Sequence, residues 1–295
     1  MRFKAHESFF IRKGWLYKGL RNIKEQPELF SSKNINPSDV LGIGTNMVRS
    51  LRYWLQVTGL TNEVLSGGRH QEFTDLANII WEHDRYMEEM GTLWLLHYKL
   101  ASNSEDATAW YYFFNEFTMK EFSKDDFVEM VDLYAQINGS ETARSSLEGD
   151  FDCLMNTYVS RIKSNPEKVH PENNIDCPIG ELNLVDIVDK KKKIYRKTAP
   201  KKGTLNPLIV LAVIVDQANI NESGTEIKIN TILTDKNNAG KIFSLDVIVL
   251  TEMLYDLQKL GYIKVNRTAG LDVIKLNDGL TFDGVVKAYY ESLSQ

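Results

Sequence analysis

Cysteine is scarce in this chain. Cys153 and Cys177 are too few for a disulfide framework or a structural zinc site, and they read as two buried thiols in a reducing compartment. Long apolar runs are missing too, since none approaches the roughly 20 residues that a membrane span needs. The opening MRFKAHESFFIRKGW carries a charge every few positions and lacks the apolar core of a signal peptide. A cytoplasmic protein without membrane contact is the expectation. The five histidines, His6, His70, His83, His97 and His170, have no metal-ligand spacing. There is no phosphate-cradling Gly-rich loop, no HExxH metalloprotease motif and no GxSxG nucleophile elbow.

What is present is charge, unevenly spread. The 295 residues carry 35 Lys/Arg against 40 Asp/Glu, a net −5, and this alone argues against a nonspecific nucleic-acid coat. Residues 1–60 hold ten basic and four acidic residues, for +6, whereas residues 71–160 hold five basic and eighteen acidic, for −13. A basic head on an acidic body is the asymmetry of a protein that meets phosphates with one surface only. The length favours two or three domains, and 43% hydrophobic residues supply ample core.

The head has a helical order. Ile11, Trp15, Ile23 and Phe30 fall near a 3.6 period and predict a helix over 9–30, with Pro27 as a kink or stop. Pro37 stands where a first helical position belongs, followed by Ser38 and Asp39. The stretch LGIGTNMVRSLRYWLQVTGL then predicts a tight Gly42–Gly44 turn and a long helix from Thr45 towards Val57. Ser66-Gly67-Gly68-Arg69 marks a hairpin turn between two short strands. Three helices and a Gly-tipped hairpin are the order of a winged helix-turn-helix. On the long helix Val48, Leu51 and Leu55 share one face, while Thr45, Asn46, Arg49, Arg52, Tyr53 and Gln56 take the other. In a recognition helix those N-terminal residues face base edges, and Arg49 and Arg52 bond guanine or phosphate. Arg69 and His70 on the hairpin would hold the flanking backbone of double-stranded DNA.

From Leu76 to about Tyr158 the pattern is wholly helical and rich in aromatics, with a helix start at Ser123 and Asp126. Residues 164–207 turn loop-like, with three of the seven prolines between 164 and 180. Eight Lys/Arg fall within 190–202, a run that reads as a solvated linker with phosphate contact as the other reading. The C-terminal part repeats the opening logic: an apolar helix, the short strand TEIKI, a long helix ending at Gly261 and an alternating pair of strands. Its long helix carries Asp246, Glu252 and Asp256 against Lys259, a face that suits protein contact better than phosphates. The fold class expected is mainly α, in four parts. These are a winged-helix head over 1–75, an acidic helical domain over 76–163, a loop and Lys-rich linker over 164–204, and a second winged-helix-like domain over 205–295.

Candidates for chemistry are few. Asp84 and Glu88 lie one helical turn apart, and Asp150 and Asp152 form another close pair; either pair could hold Mg²⁺ or Mn²⁺ for phosphodiester cleavage. The plainer reading is the wet face of a bundle. His97, amid TLWLLHYKL, reads as a satisfied interior histidine. Asp216 with Glu226 and Lys228 has the residue types of a nuclease triad, in a pattern short enough to arise by chance.

HESFFIRKGWLYKGL, LGIGTNMVRSLRYWLQVTGL and EHDRYMEEMGTLWLLHYKLA, with DFDCLMNTYV, CPIGELNLV and the Lys-rich stretch in the same order, carry a resemblance over nearly the whole chain. The chain resembles a bacterial family catalogued as domain of unknown function 4007, and within it the SspB-type components of single-strand DNA phosphorothioation systems. That resemblance implies antiviral defence, the nicking of DNA so that sulfur can be inserted, and sulfur-transfer and ATPase subunits as partners. A non-enzymatic DNA-binding adaptor and a winged-helix transcriptional regulator are the alternatives.

Overall fold

The computed structural model describes residues 1–159, 177–268 and 271–293. Most of the loop expected over 164–180 lies outside them. The protein is mainly helical with small antiparallel sheets. Among the described residues no helix is long and apolar enough to cross a membrane.

The head is set by its glycines and prolines. Helix α1 (Trp15–Glu25) starts later than the Phe9 that periodicity predicts, because Gly14 at φ 79° turns the chain into it. It ends before Pro27. Helix α2 (Pro37–Leu41) is capped by Asn36, whose side chain accepts from Ser38 N, and Gly42 at φ 62° ends it. Helix α3 (Thr45–Val57) then docks on α1. The approach is close at Gly19, where a Cβ would come within 2.7 Å of Leu55 Cδ1. Strands β1 (Thr61–Val64) and β2 (His70–Phe73) pair antiparallel from Thr61↔Phe73 to Val64↔His70.

The middle follows the aromatic-rich pattern: α4 (Asp75–His83), α5 (Met90–Ala101), α6 (Thr108–Asn115), the two-residue strand β3 (Glu121–Phe122), α7 (Lys124–Ile137) and α8 (Arg144–Tyr158). Helix α7 opens on a capping box between Ser123 and Asp126. Helices α5 and α6 are buried nearly all round, so they form the spine and the other elements cover them. The chain start lies against this body. Both Asp150 carboxylate oxygens accept from Lys4 N, at 3.0 and 3.1 Å. His6 Nε2 lies 2.7 Å from Asp150 Oδ1 while His6 Nδ1 accepts from Ser8 N, so Nε2 carries the proton and donates.

Beyond a 3-10 turn (Pro178–Leu182), the stretch read as a linker contains β4 (Val185–Asp189) and β5 (Ile194–Lys197), and β5 joins β3 in a sheet of order β3-β5-β4. The remainder is α9 (Pro207–Ile220), β6 (Glu226–Lys228), α10 (Ile229–Thr234), α11 (Ala239–Ile242), α12 (Val247–Lys259), β7 (Ile263–Thr268), β8 (Leu271–Leu276) and α13 (Phe282–Leu293), with sheet order β6-β8-β7.

This C-terminal unit is fused to the body. Tyr289 Oη accepts from Gly91 N at 3.0 Å, and a Cβ on Gly91 would lie 2.2 Å from the Tyr289 ring. Tyr290 Oη is 2.6 Å from Thr92 Oγ1. His97 is fully buried: Nε2 donates to Ile242 O at 2.8 Å, and Nδ1 accepts from Tyr158 Oη at 2.7 Å. Burial pushes its pKa down to about 4, so the ring is neutral at pH 7. Asp216 is engaged by Tyr98 Oη at 2.7 Å and Lys99 Nζ at 2.8 Å, far from a free nuclease carboxylate.

Candidate nucleic-acid interface

Helix α3 divides at its N-terminal end as its periodicity predicts, whereas further along Arg52 and Gln56 are half-buried and Tyr53 is buried. Val48, Leu51 and Leu55 are buried, and Thr45, Asn46 and Arg49 are exposed. Ser50 Oγ and Trp54 Nε1 both donate to Phe9 O, at 3.2 and 2.9 Å, and so fix the helix's rotation about its axis. Tyr53 departs from its expected place on the solvent face. It is buried, its hydroxyl donates to Asp106 O at 3.1 Å, and burial beside Asp150 raises its pKa well above the usual value.

The basic residues of the head differ in how far they are free. Arg49 makes no ion pair among the described residues. Arg52 and Arg69 converge on one carboxylate: Arg52 Nη2 bonds Glu63 Oε1, while Arg69 Nε and Nη2 reach Oε1 and Oε2 at 2.7 and 3.0 Å. Partial desolvation pushes the Glu63 carboxyl up, but the hydrogen bonds and charges of Arg69 and Arg52 outweigh it and hold the pKa below its usual value. Gln56 is half-buried, and its Nε2 donates to Gln71 Oε1 at 3.4 Å. His70 Nδ1 faces Gly68 O at 2.7 Å and Nε2 faces Glu72 Oε1 at 3.0 Å. Two acceptors favour the doubly protonated ring, and its pKa is raised. The geometry therefore leaves Thr45, Asn46 and Arg49 exposed, with only a long 3.5 Å contact from Thr45 Oγ1 to Ser38 Oγ, and sets Arg52 and Arg69 in a clamp on Glu63 of β1.

A second cluster was invisible in the sequence. Tyr17 stacks on Trp81 at 5.9 Å and meets Tyr86 at 4.7 Å, with Lys24 and Arg85 over the Trp81 ring. Cavities of about 120 and 470 Å³ share Gly14 and Tyr17 on their walls. These partners lie some sixty residues apart in the chain, so no local pattern announces them.

The candidate metal carboxylates have other partners. Asp84 is buried; Oδ1 accepts from Glu88 N at 3.0 Å, and Oδ2 accepts from Glu89 N at 3.0 Å and Thr92 Oγ1 at 2.6 Å. It ties the loop before α5, and Glu88 enters that bond with its backbone, leaving its side chain exposed. Asp150 anchors the N-terminal tail as described. Asp152, one position on, is exposed and bonds Lys124 Nζ at 2.6 Å. Neither pair converges on one point. Among the described residues, no group of three or more His, Cys, Asp or Glu side chains is placed to hold a metal ion. The four carboxylates do not make a fitting magnesium site.

Fold and surface together define a mainly helical protein with a basic, helix-presenting head on an acidic helical body. The chain belongs to the family described as "Protein of unknown function (DUF4007)", which matches residues 3–290. Comparison with curated proteins returned no match. Two solved structures share the fold. "Magnesium ion-bound SspB crystal structure" and "SspB crystal structure" are each 23% identical, over 100% of this chain and 89% of theirs, with TM-scores of 0.83 and 0.84.

Proposed function

We propose that this protein is a DNA-binding component of a bacterial DNA phosphorothioation and defence system, of SspB type. Both its terminal units are read as winged helices, and the N-terminal one engages duplex DNA. The observation that carries the reading is the exposed N-terminal face of α3, Thr45, Asn46 and Arg49, on a head whose charge balance is strongly basic. Membership of the DUF4007 family and the likeness to SspB support the system in which it works. Arg49 would bond a guanine edge or a phosphate, with Thr45 and Asn46 over the adjoining bases. Gln56 and the Arg52–Arg69 clamp would lie along the flanking backbone. Sulfur-transfer and ATPase subunits would be its protein partners.

The test is fluorescence anisotropy with a labelled duplex. Wild-type protein should bind, and Arg49→Ala should weaken binding and lower the salt slope by up to about one unit. Absence of duplex binding by the wild-type protein at low salt would sink the reading.

A second reading, DNA nicking with Mg²⁺ or Mn²⁺, is favoured by one observation: one of the solved structures of this fold is described as magnesium ion-bound. No step is assigned to this chain's carboxylates, given their engagement elsewhere. Plasmid relaxation with each metal, with and without chelator, tests it. Open-circle product that persists when Asp84, Glu88, Asp150 and Asp152 are singly replaced by Ala would place the chemistry on other residues.

A further inference from the structure

The run of eight Lys/Arg over 190–202 is built into the fold and is not a free linker. Strand β5 is the middle strand of its sheet, and β4 pairs with it from Val185↔Lys197 to Asp189↔Ile194, with a register shift between Ile187 and Asp189. Its root is packed. Tyr195 stacks on Phe122 at 6.1 Å and meets Phe151 edge-on at 5.7 Å. Lys197 Nζ donates to Phe113 O and Phe117 O at the end of α6, and lies 4.6 Å from the Phe113 ring centroid.

The tip differs. Lys190, Lys191, Lys192 and Lys193 are all exposed, and none makes an ion pair among the described residues. The nearest acid in the turn, Asp189, uses its Oδ1 to accept from the backbone N–H of Lys191 and Lys192, at 2.8 and 3.0 Å. The carboxylate thus shapes the turn and forms no pair with an ammonium group. Arg196 is paired with Asp186 at 3.0 Å, and Lys201 and Lys202 are exposed just beyond the hairpin. Four adjacent ammonium groups repel one another, so the folded chain gains nothing from gathering them. A polyanion lying across the tip would remove that repulsion.

We propose that the β4–β5 hairpin is a second, sequence-independent contact to the phosphate backbone of duplex DNA, made by Lys190, Lys191, Lys192 and Lys193. The inference rests on the DNA-binding reading of the head and adds a site to it. Residue type favours phosphate over an acidic protein. Lysine is depleted from the buried cores of protein interfaces, which favour aromatics and arginine, whereas its compact charge suits phosphate. The contrast with the head points the same way, because Arg52 and Arg69 already share a carboxylate while the hairpin lysines are unpaired.

The experiment compares full-length wild-type protein with a variant carrying Lys→Gln at all four positions. Binding to a random-sequence 25-bp duplex is measured by anisotropy between about 50 and 200 mM salt, and circular dichroism checks the fold. The hairpin predicts that the slope of log affinity against log salt falls by about two to four, at 0.9 per phosphate released. Affinity at the lower salt should drop at least tenfold, and four Lys→Arg replacements should retain it. Wild-type binding with an unchanged slope and affinity in the Gln variant overturns the hairpin and leaves the head's role standing. So does unchanged DNA binding combined with lost capture of an acidic protein. No wild-type binding at any salt overturns both.

Discussion

Helices α3 and α12 occupy matching places, each after shorter helices and before an antiparallel hairpin, yet they offer opposite surfaces. At the start of α3 stand Thr45, Asn46 and Arg49, all exposed, and Arg49 makes no ion pair among the described residues. At the start of α12 the cap is Asp246, which accepts from Ile248 N and Val249 N, and the next residues, Val247 and Ile248, are 52% and 67% exposed. Glu252, Tyr255, Asp256 and Leu260 continue that face. A phosphate near α3 meets cations; near α12 it would meet carboxylates and hydrocarbon. One order of elements therefore carries two outer faces of different chemistry, and the side chains, not the arrangement, set what each would attract.

Both units stand on one core, and acid tests this most strongly. His97 links Tyr158 in the body to Ile242 in the C-terminal unit. Its pKa is near 4 when folded, against the ordinary 6.5. Between these values the unfolded chain binds a proton that the folded chain refuses. The stabilisation is thus complete above pH 6.5 and is lost as pH falls to 4, by about 3 kcal/mol in all. Chemical denaturation across that window should show the loss, and His97→Gln should flatten it. Two separate transitions, with the head insensitive to acid, would break the picture of one core.

How much of this was legible follows from distance along the chain. The burial of Val48, Leu51 and Leu55 is a matter of three- and four-residue steps, and the sequence reveals it. Tyr53 falls on the polar side of that wheel, but its partner Asp106 is 53 residues away, so its burial could not be seen. Asp150 and His6 are 144 residues apart, and a carboxylate that reads as a metal ligand turns out to anchor the N-terminal tail. The Lys-rich hairpin was hidden for another reason. Its charges mask the alternation of β5, and the strand that completes its sheet, Glu121–Phe122, is too short to announce itself.

A second test of the shared core is steric. Gly91→Ala places a methyl group 2.2 Å from the Tyr289 ring, too close for any real contact. The Tyr289 ring must move away, and the Gly91 N–H then loses its acceptor. A cost of about 2 kcal/mol is expected, read as a lower denaturation midpoint. Much less loss in a Tyr289→Ala background would identify the ring as the obstacle, whereas an equal loss would refute it.

The surfaces themselves are compared by charge reversal on one helix and truncation on the other. Arg49→Glu should weaken duplex binding roughly tenfold at about 100 mM salt, since a phosphate contact becomes a repulsion. Ile248→Ala on α12 should leave it within roughly twofold. If the Ile248 change weakened DNA binding as much as the Arg49 change, the division of labour between the helices would fail.

The smallest expected effect concerns the clamp in the head. Glu63 holds Arg52 and Arg69 together, and it is only partly buried, so the pairs contribute little to stability. Glu63→Gln keeps an acceptor for Gln71 Nε2, 3.3 Å away, and removes the negative charge that both guanidinium groups now face. Either arginine could then turn to a phosphate. Duplex affinity should rise about threefold, with a slightly steeper salt dependence. An unchanged affinity would mean that the two arginines lie off the DNA track, and would confine the contact to the N-terminal turn of α3. A fall would mean that the clamp is itself the bound geometry, with Glu63 orienting Arg52 and Arg69 for the backbone. In that case the paired and unpaired arginines of the head would act as one surface.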